Sequence, residues 1–111
     1  MYLDKFRYKS ITVKFTSKVS YPAFRTEINS DLGNWLSNTL IKTFGVKPVL
    51  KRTSGGSVPI SPFVNTLNLP AVGVPTVNKD NNQHSPNENI KLLNYSRGIE
   101  TFIGILSSEF N

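Results

Sequence analysis

The sequence contains no cysteine, which excludes a disulfide framework, thiolate metal sites and a cysteine nucleophile. It contains one histidine, His84, which also excludes a metal site that this chain builds from several imidazoles. No apolar run approaches the roughly 20 residues of a membrane span, and no apolar segment of the signal-peptide type follows the first basic residues. The 111 residues are enough for one modest domain. The lack of cysteine leaves the cellular compartment open.

Charged residues are also scarce, at 18% against a usual share of about 25%. The net charge of +6 lies entirely in residues 1–52, which carry ten Lys or Arg against three acids. Residues 53–111 carry three basic residues against four acids. A basic half can indicate a nucleic-acid partner, but these basic residues are scattered singly and form no block of like charge. We interpret them as a solvated face, with a stand-alone nucleic-acid-binding module as the alternative.

The first half of the chain shows two hydrophobic periods. In residues 11–21 apolar side chains recur at every second position, which predicts a strand with one buried face, and Pro22 ends it. In residues 30–44 they recur at helical spacing. Ser30 is the expected N-cap of this helix, and Gly45 stands where a C-terminal glycine belongs.

The second half alternates between apolar strands and helices. The pattern predicts, in order, a strand at 49–51, a glycine-rich break at 52–57, a helix at 62–67 capped by Ser61, a buried strand at 69–77, a polar loop at 78–89, and a helix at 92–110 with Asn94 as its candidate cap. This alternation favours the α/β class with a parallel sheet.

Two polar segments follow the predicted strands, and ligands of open α/β sheets bind beyond the carboxyl ends of strands. One segment contains Gly55, Gly56 and Ser57, whose backbone N–H groups and hydroxyl could bind a carboxylate or phosphate. An ordinary turn is the alternative interpretation of these three residues.

The other polar segment contains His84, and a neutral imidazole is a good metal ligand. Asp80 and Glu88 lie four residues to either side and could hold the ring from a second position. The alternative is a surface histidine with no such role. The seven acids of the chain show no arrangement that would complete a set of three or four ligands.

Four blocks of sequence, taken together, resemble a known family. They are TSGGSVPISPF at 53–63, AVGVPTV at 71–77, DNNQHSPNE at 80–88 and YSRGIETF at 95–102. In order and spacing they resemble the C-terminal end of the dinuclear-zinc exopeptidases, the family of carnosine dipeptidases, aminoacylases and succinyl-diaminopimelate desuccinylase (peptidase family M-twenty).

The resemblance implies a division of the chain and a role for several residues. Residues 1–22 would be the end of the α+β lid, or dimerisation, domain, and residues 23–111 the C-terminal part of the catalytic α/β domain. His84 would bind one of two zinc ions, for which Mn or Co could substitute. The substrate pocket near the free carboxylate of the substrate would be lined by Gly55, Gly56 and Ser57, with Glu88 as a supporting residue.

The parent reaction implied by the resemblance is hydrolysis of a dipeptide or N-acyl amino acid by a water bound between two metals. The His-x-Asp-x-x-Pro motif, the Glu-Glu pair and the bridging Asp of the family are absent here. We therefore expect no catalytic residue in this chain, a fragment starting at Met1 that is inactive alone, and the remainder of the peptidase as its partner. The parent would be a homodimer. A self-associating structural remnant is a further alternative.

Overall fold

The computed structural model describes residues 14, 16, 21–54, 56 and 58–110, and this part of the chain contains three α-helices. They are α1 (Asp31–Phe44), α2 (Ser61–Leu67) and α3 (Leu92–Ser107). The helices α1 and α3 pack against each other. Within the described ranges, no helix has both the length and the apolar character to cross a membrane.

Helix α1 begins and ends where the sequence predicts. The Ser30 hydroxyl accepts a hydrogen bond from the Gly33 backbone N–H at 3.2 Å, which satisfies one of the free donors of the first turn. Gly45 adopts the left-handed conformation with φ of 71°, and its N–H donates to the Ile41 carbonyl at 2.8 Å. Glycine takes this conformation at no steric cost, so the helix terminates there.

The predicted α/β class is wrong: the described residues form no strand and no parallel sheet. Residues 49–51 and 69–77 have side chains that strands favour, but a strand also needs a neighbour to exchange backbone hydrogen bonds. Here the Ala71 N–H donates instead to the Thr26 hydroxyl at 3.0 Å. The expectation of a parallel-sheet zinc-exopeptidase domain preceded by an α+β lid strand therefore fails as a description of this fold. Most of the predicted strand at 11–21 lies outside the described residues.

Both later helices differ from the prediction at their first turn. Ser61 is the first residue of α2 rather than its cap, and the cap position is Ile60, which makes no side-chain capping bond. Lys91 precedes α3, while Asn94 lies inside the helix. The Asn94 side chain donates to the Thr76 carbonyl at 3.2 Å, so this amide connects α3 to the preceding segment instead of capping the helix.

The buried residues of α3, Gly98 and Thr101, are small, which allows close approach to its neighbours. A Cβ atom added at Gly104 would overlap the Thr43 hydroxyl on α1, and one added at Gly98 would lie 3.4 Å from the Thr76 Cβ. Among the described residues, Leu36 of α1 is the only large apolar side chain that is buried, with 7% of its surface exposed. The interface between α1 and α3 thus depends on close backbone approach more than on interdigitated large side chains.

The large apolar side chains of α3 lie on the other side of the helix and remain exposed. Together with Phe110, which lies just beyond the helix, we call these side chains the α3 stripe; its members are Leu92, Tyr95, Ile99, Phe102, Ile103, Leu106 and Phe110. Their periodicity is the one that the sequence predicts for a helix with a buried face. In the structure the small residues take the buried side. Among the described residues the stripe side chains stay largely exposed, and Phe110 at the end of the stripe meets the Trp35 ring edge-on.

Candidate functional site

The loop that carries His84, residues 78–91, is closed by the side chain of Asn78, which is 6% exposed. The Asn78 amide nitrogen donates to the Asp80 carboxylate at 2.9 Å and to the Asn89 side-chain oxygen at 3.3 Å. Its carbonyl oxygen accepts from the Lys91 backbone N–H at 3.0 Å. Both donors and the acceptor are in use, so one buried amide joins the two ends of the His84 loop.

A second set of hydrogen bonds shapes the tip of the loop. The Asn89 N–H donates to the Asn81 carbonyl at 2.9 Å, and the Ser85 N–H donates to the Asn82 carbonyl at 3.0 Å. The Asn82 side chain also donates to the Pro86 carbonyl at 3.1 Å. Backbone turn contacts and an asparagine side chain together satisfy the backbone of this segment in place of regular secondary structure.

His84 is exposed at the tip and holds a left-handed backbone with φ of 62°. Asn82 and Asn87 share this conformation, with φ of 57° and 63°. Asparagine tolerates it well because its side chain can bond locally, and histidine is also enriched there, whereas for most other residues it costs about 1–2 kcal/mol. Strain of this kind concentrates at functional sites. The surrounding hydrogen bonds hold His84 in a conformation that turns its side chain outward at the loop tip.

Asp80 forms the charged part of the loop closure. Its carboxylate accepts from Asn78 and pairs with the Lys91 ammonium at 2.9 Å. These two contacts, that of Asn78 first, lower the pKa of Asp80 from 3.8 to about 2. Asp80 is thus engaged in closing the loop, and the expected carboxylate support for the His84 ring does not come from it.

The structure describes two of the other four predicted site residues, Gly56 and Glu88. Gly55 and Ser57 lie outside the described residues. Gly56 is exposed, and its N–H donates to the Ser54 hydroxyl at 3.4 Å, a local turn contact. Glu88 is exposed and follows Asp80 in the sequence, beyond the loop tip. Their assignment to a substrate pocket stays a prediction.

The chemistry of the donor set bears on the implied zinc. Among the described residues, no group of three His, Cys, Asp or Glu side chains is placed to hold a metal ion. A structural or catalytic zinc needs three or four protein ligands. His84 could fill one coordination position, but the described part of the chain does not supply the other ligands of a metal site.

A cleft of about 650 Å³ lies elsewhere, between α1 and the end of α3. Its lining includes Trp35 with Lys42 and two acids, Asp31 and Glu109. The Trp35 indole N–H donates to the Glu109 carbonyl at 2.7 Å. The sequence does not predict this cleft, because the cleft depends on a contact between residues 74 positions apart. None of the predicted site residues lines it.

The closure by Asn78 was also missed, although a local signal exists. Asn78 ends an apolar run and precedes Asp80 by two positions, a pattern typical of turns in which an Asx side chain bonds to the backbone.

Comparison with known proteins adds no assignment: no protein-family model, no curated protein and no solved structure matches this chain.

Proposed function

We propose that this chain is the C-terminal portion of a dinuclear metallopeptidase that hydrolyses dipeptides or N-acyl amino acids. In this proposal His84 supplies one metal ligand, and Gly55, Gly56 and Ser57 contact the substrate carboxylate. The other ligands and the general base belong to the remainder of the enzyme. The chain alone is inactive because it contains neither.

One observation carries the proposal: an exposed imidazole is held on a strained backbone by a hydrogen-bonded loop. Of the four residues other than glycine with positive φ in the described part of the chain, His84 is the one that is not asparagine, and its left-handed backbone has an energetic cost. The buried Asn78 amide and the Asp80–Lys91 pair offset this cost by fixing both ends of the loop. A ligand presented to a metal whose other ligands lie elsewhere needs this kind of support.

The first experiment is to sequence the DNA upstream of the Met1 codon in the same frame. The proposal expects an open frame that encodes a His-x-Asp-x-x-Pro motif and a later Glu-Glu pair. A stop codon directly before Met1, with no such motif encoded nearby, would contradict it.

A second experiment uses the chain itself. With Zn²⁺ or Mn²⁺ added, the purified 111 residues should hydrolyse no dipeptide above the level of a His84→Ala control. Titration with Zn²⁺ should shift the His84 ring resonances, and this effect should persist in Gln83→Ala, which alters an exposed neighbour in the same loop. Hydrolysis that is lost in His84→Ala would contradict the proposal that the chain is inactive alone.

Self-association is the second candidate function, and the exposed α3 stripe favours it. Soluble monomers rarely expose a contiguous apolar patch of many large side chains. A nucleic-acid-binding role stays an alternative that retention on DNA would support if it fell steeply with salt.

A further inference from the structure

We propose that the α3 stripe is an interface between two copies of this chain, formed by antiparallel pairing of their α3 helices. The inference develops the self-association candidate and does not depend on the peptidase proposal. Its basis is the geometry of the stripe, which gives a surface of sufficient area, a self-complementary register and a preferred direction.

The area of the α3 stripe matches what a stable dimer needs. The helix is 16 residues long, or about 24 Å. Its seven stripe side chains are on average roughly two-thirds exposed, and a large side chain carries about 150–200 Å² of surface. The stripe therefore exposes on the order of 800 Å², which is the area that each partner contributes to a standard protein interface.

The spacing of the stripe is that of a helix-pairing seam. Leu92, Tyr95, Ile99, Phe102 and Leu106 alternate steps of three and four residues, as the a and d positions of a heptad do. Arg97 and Glu100, the charged residues within α3, occupy positions outside this seam. Gly104, on the other side of α3, meets Thr43 of α1, so pairing through these five residues leaves that contact intact.

The same spacing is nearly symmetrical about residues 100 and 101. In an antiparallel pair related by a two-fold axis at that point, Ile99 meets Phe102 of the second copy. Tyr95 likewise meets Leu106, and Leu92 lies opposite the residues that follow the other α3, close to Phe110. These pairs bring together six of the seven stripe positions, all but Ile103, and such self-pairing is the self-complementarity that an isologous interface requires.

Charge favours the antiparallel direction over the parallel one. The first turn of α3 contains no acid, and no side chain caps it. Glu109 follows the C-terminal end of the helix. Antiparallel pairing brings Glu109 of each copy beside the positive N-terminal end of the other α3, whereas parallel pairing brings like helix ends together.

The test is sedimentation equilibrium of the 111-residue chain from low micromolar to submillimolar concentration. We expect a reversible dimer of twice the 12.4 kDa chain mass. Phe102→Asp should weaken dimerisation roughly tenfold or more, a change of about 1.4 kcal/mol. Phe63→Asp is the matched control, because Phe63 on α2 is 64% exposed and Phe102 is 63% exposed.

Circular dichroism checks that each variant keeps its helices. Leu106→Lys provides a second variant at a position that is 84% exposed, where a charge in the monomer meets water. A monomer at every concentration would overturn the proposal. So would equal weakening by Phe102→Asp and Phe63→Asp, or a dimer that both Phe102→Asp and Leu106→Lys leave intact, since its interface would then lie elsewhere.

Single cysteines test the direction, because the chain has none of its own. A mixture of Tyr95→Cys and Leu106→Cys chains should form the mixed disulfide on oxidation, with little Leu106→Cys homodimer. Rapid Leu106→Cys homodimer formation without the mixed product would show parallel pairing and would overturn the antiparallel arrangement.

Discussion

The side-chain oxygen of Asn78 accepts a hydrogen bond from the backbone nitrogen of Lys91 at 3.0 Å. This bond spans the whole His84 loop and ends at the residue that precedes α3. The amide of one residue therefore sets both the closure of the loop and the start of the helix.

Replacing Asn78 with alanine should lower the free energy of unfolding by about 1–3 kcal/mol, because the three hydrogen bonds of its buried amide are lost. Urea denaturation followed by circular dichroism measures this change. Hydrogen exchange of the Lys91 amide should accelerate in the same variant. Gln83→Ala, in the same loop but exposed, is the control and should leave both quantities unchanged. An unaltered Lys91 exchange rate in Asn78→Ala would contradict the assigned closure.

The Asp80 carboxylate should titrate with a pKa of about 2, well below its ordinary 3.8. Since the folded pKa is lowered, the stabilisation from this group is fully present above pH 4 and is lost as pH falls through about 2. Carboxyl-carbon NMR across the acidic range measures the pKa directly. Asn78→Ala and Lys91→Met should each raise it toward the ordinary value. A wild-type pKa near 3.8 would mean that the two contacts do not form in solution.

Gly104→Ala should destabilise the chain by about 1 kcal/mol, although alanine favours helix by about 0.5–1 kcal/mol over glycine. The added methyl group would overlap the Thr43 hydroxyl, and overpacking costs about 1–3 kcal/mol. Rotation of Thr43 could relieve the overlap only by breaking its bond to the Thr39 carbonyl.

Thermal unfolding compares this variant with Thr43→Ala and with the double variant. Removing the Thr43 hydroxyl and methyl should abolish the penalty, so that Gly104→Ala becomes neutral or stabilising in the Thr43→Ala background. Equal effects of Gly104→Ala in both backgrounds would show that α1 and α3 do not approach each other in this way.

Ser61→Ala should be neutral or should raise stability by about 1 kcal/mol. The Ser61 hydroxyl is fully buried and has no hydrogen-bond partner among the described residues, and an unpaired buried hydroxyl is unfavourable. Urea denaturation gives the change, with the exposed Ser96→Ala on α3 as the control. A loss of stability in Ser61→Ala beyond that of the control would show that the hydroxyl has a partner.

Local features of the fold were predictable because neighbours in sequence determine them. The Ser30 cap and the left-handed Gly45 bound α1 as expected, since both act through hydrogen bonds within one turn. A strand forms only beside another strand with which it exchanges backbone hydrogen bonds, and the hydrophobic period of one segment does not show whether such a neighbour exists. The apolar run at 69–77 therefore predicted a sheet that the described residues do not form.

The candidate site divides along the same line. His84 was identifiable because it is the single histidine and lies in a polar loop. The roles of Asn78 and Asp80 depend on contacts across the loop, up to 13 residues apart, and periodicity carries no record of them. The assignment of Gly55, Gly56, Ser57 and Glu88 comes from family resemblance and stays a prediction.

The contact between Trp35 and the end of the chain gives the protein an internal optical reporter. Trp35 is the one tryptophan in the sequence; its indole donates to the Glu109 carbonyl, and its ring meets the Phe110 ring edge-on at 5.2 Å between centroids. Its fluorescence therefore reports whether the last residues are docked on α1. Because Phe110 also belongs to the α3 stripe, emission should change when two copies associate, and the equilibrium can be followed without any label.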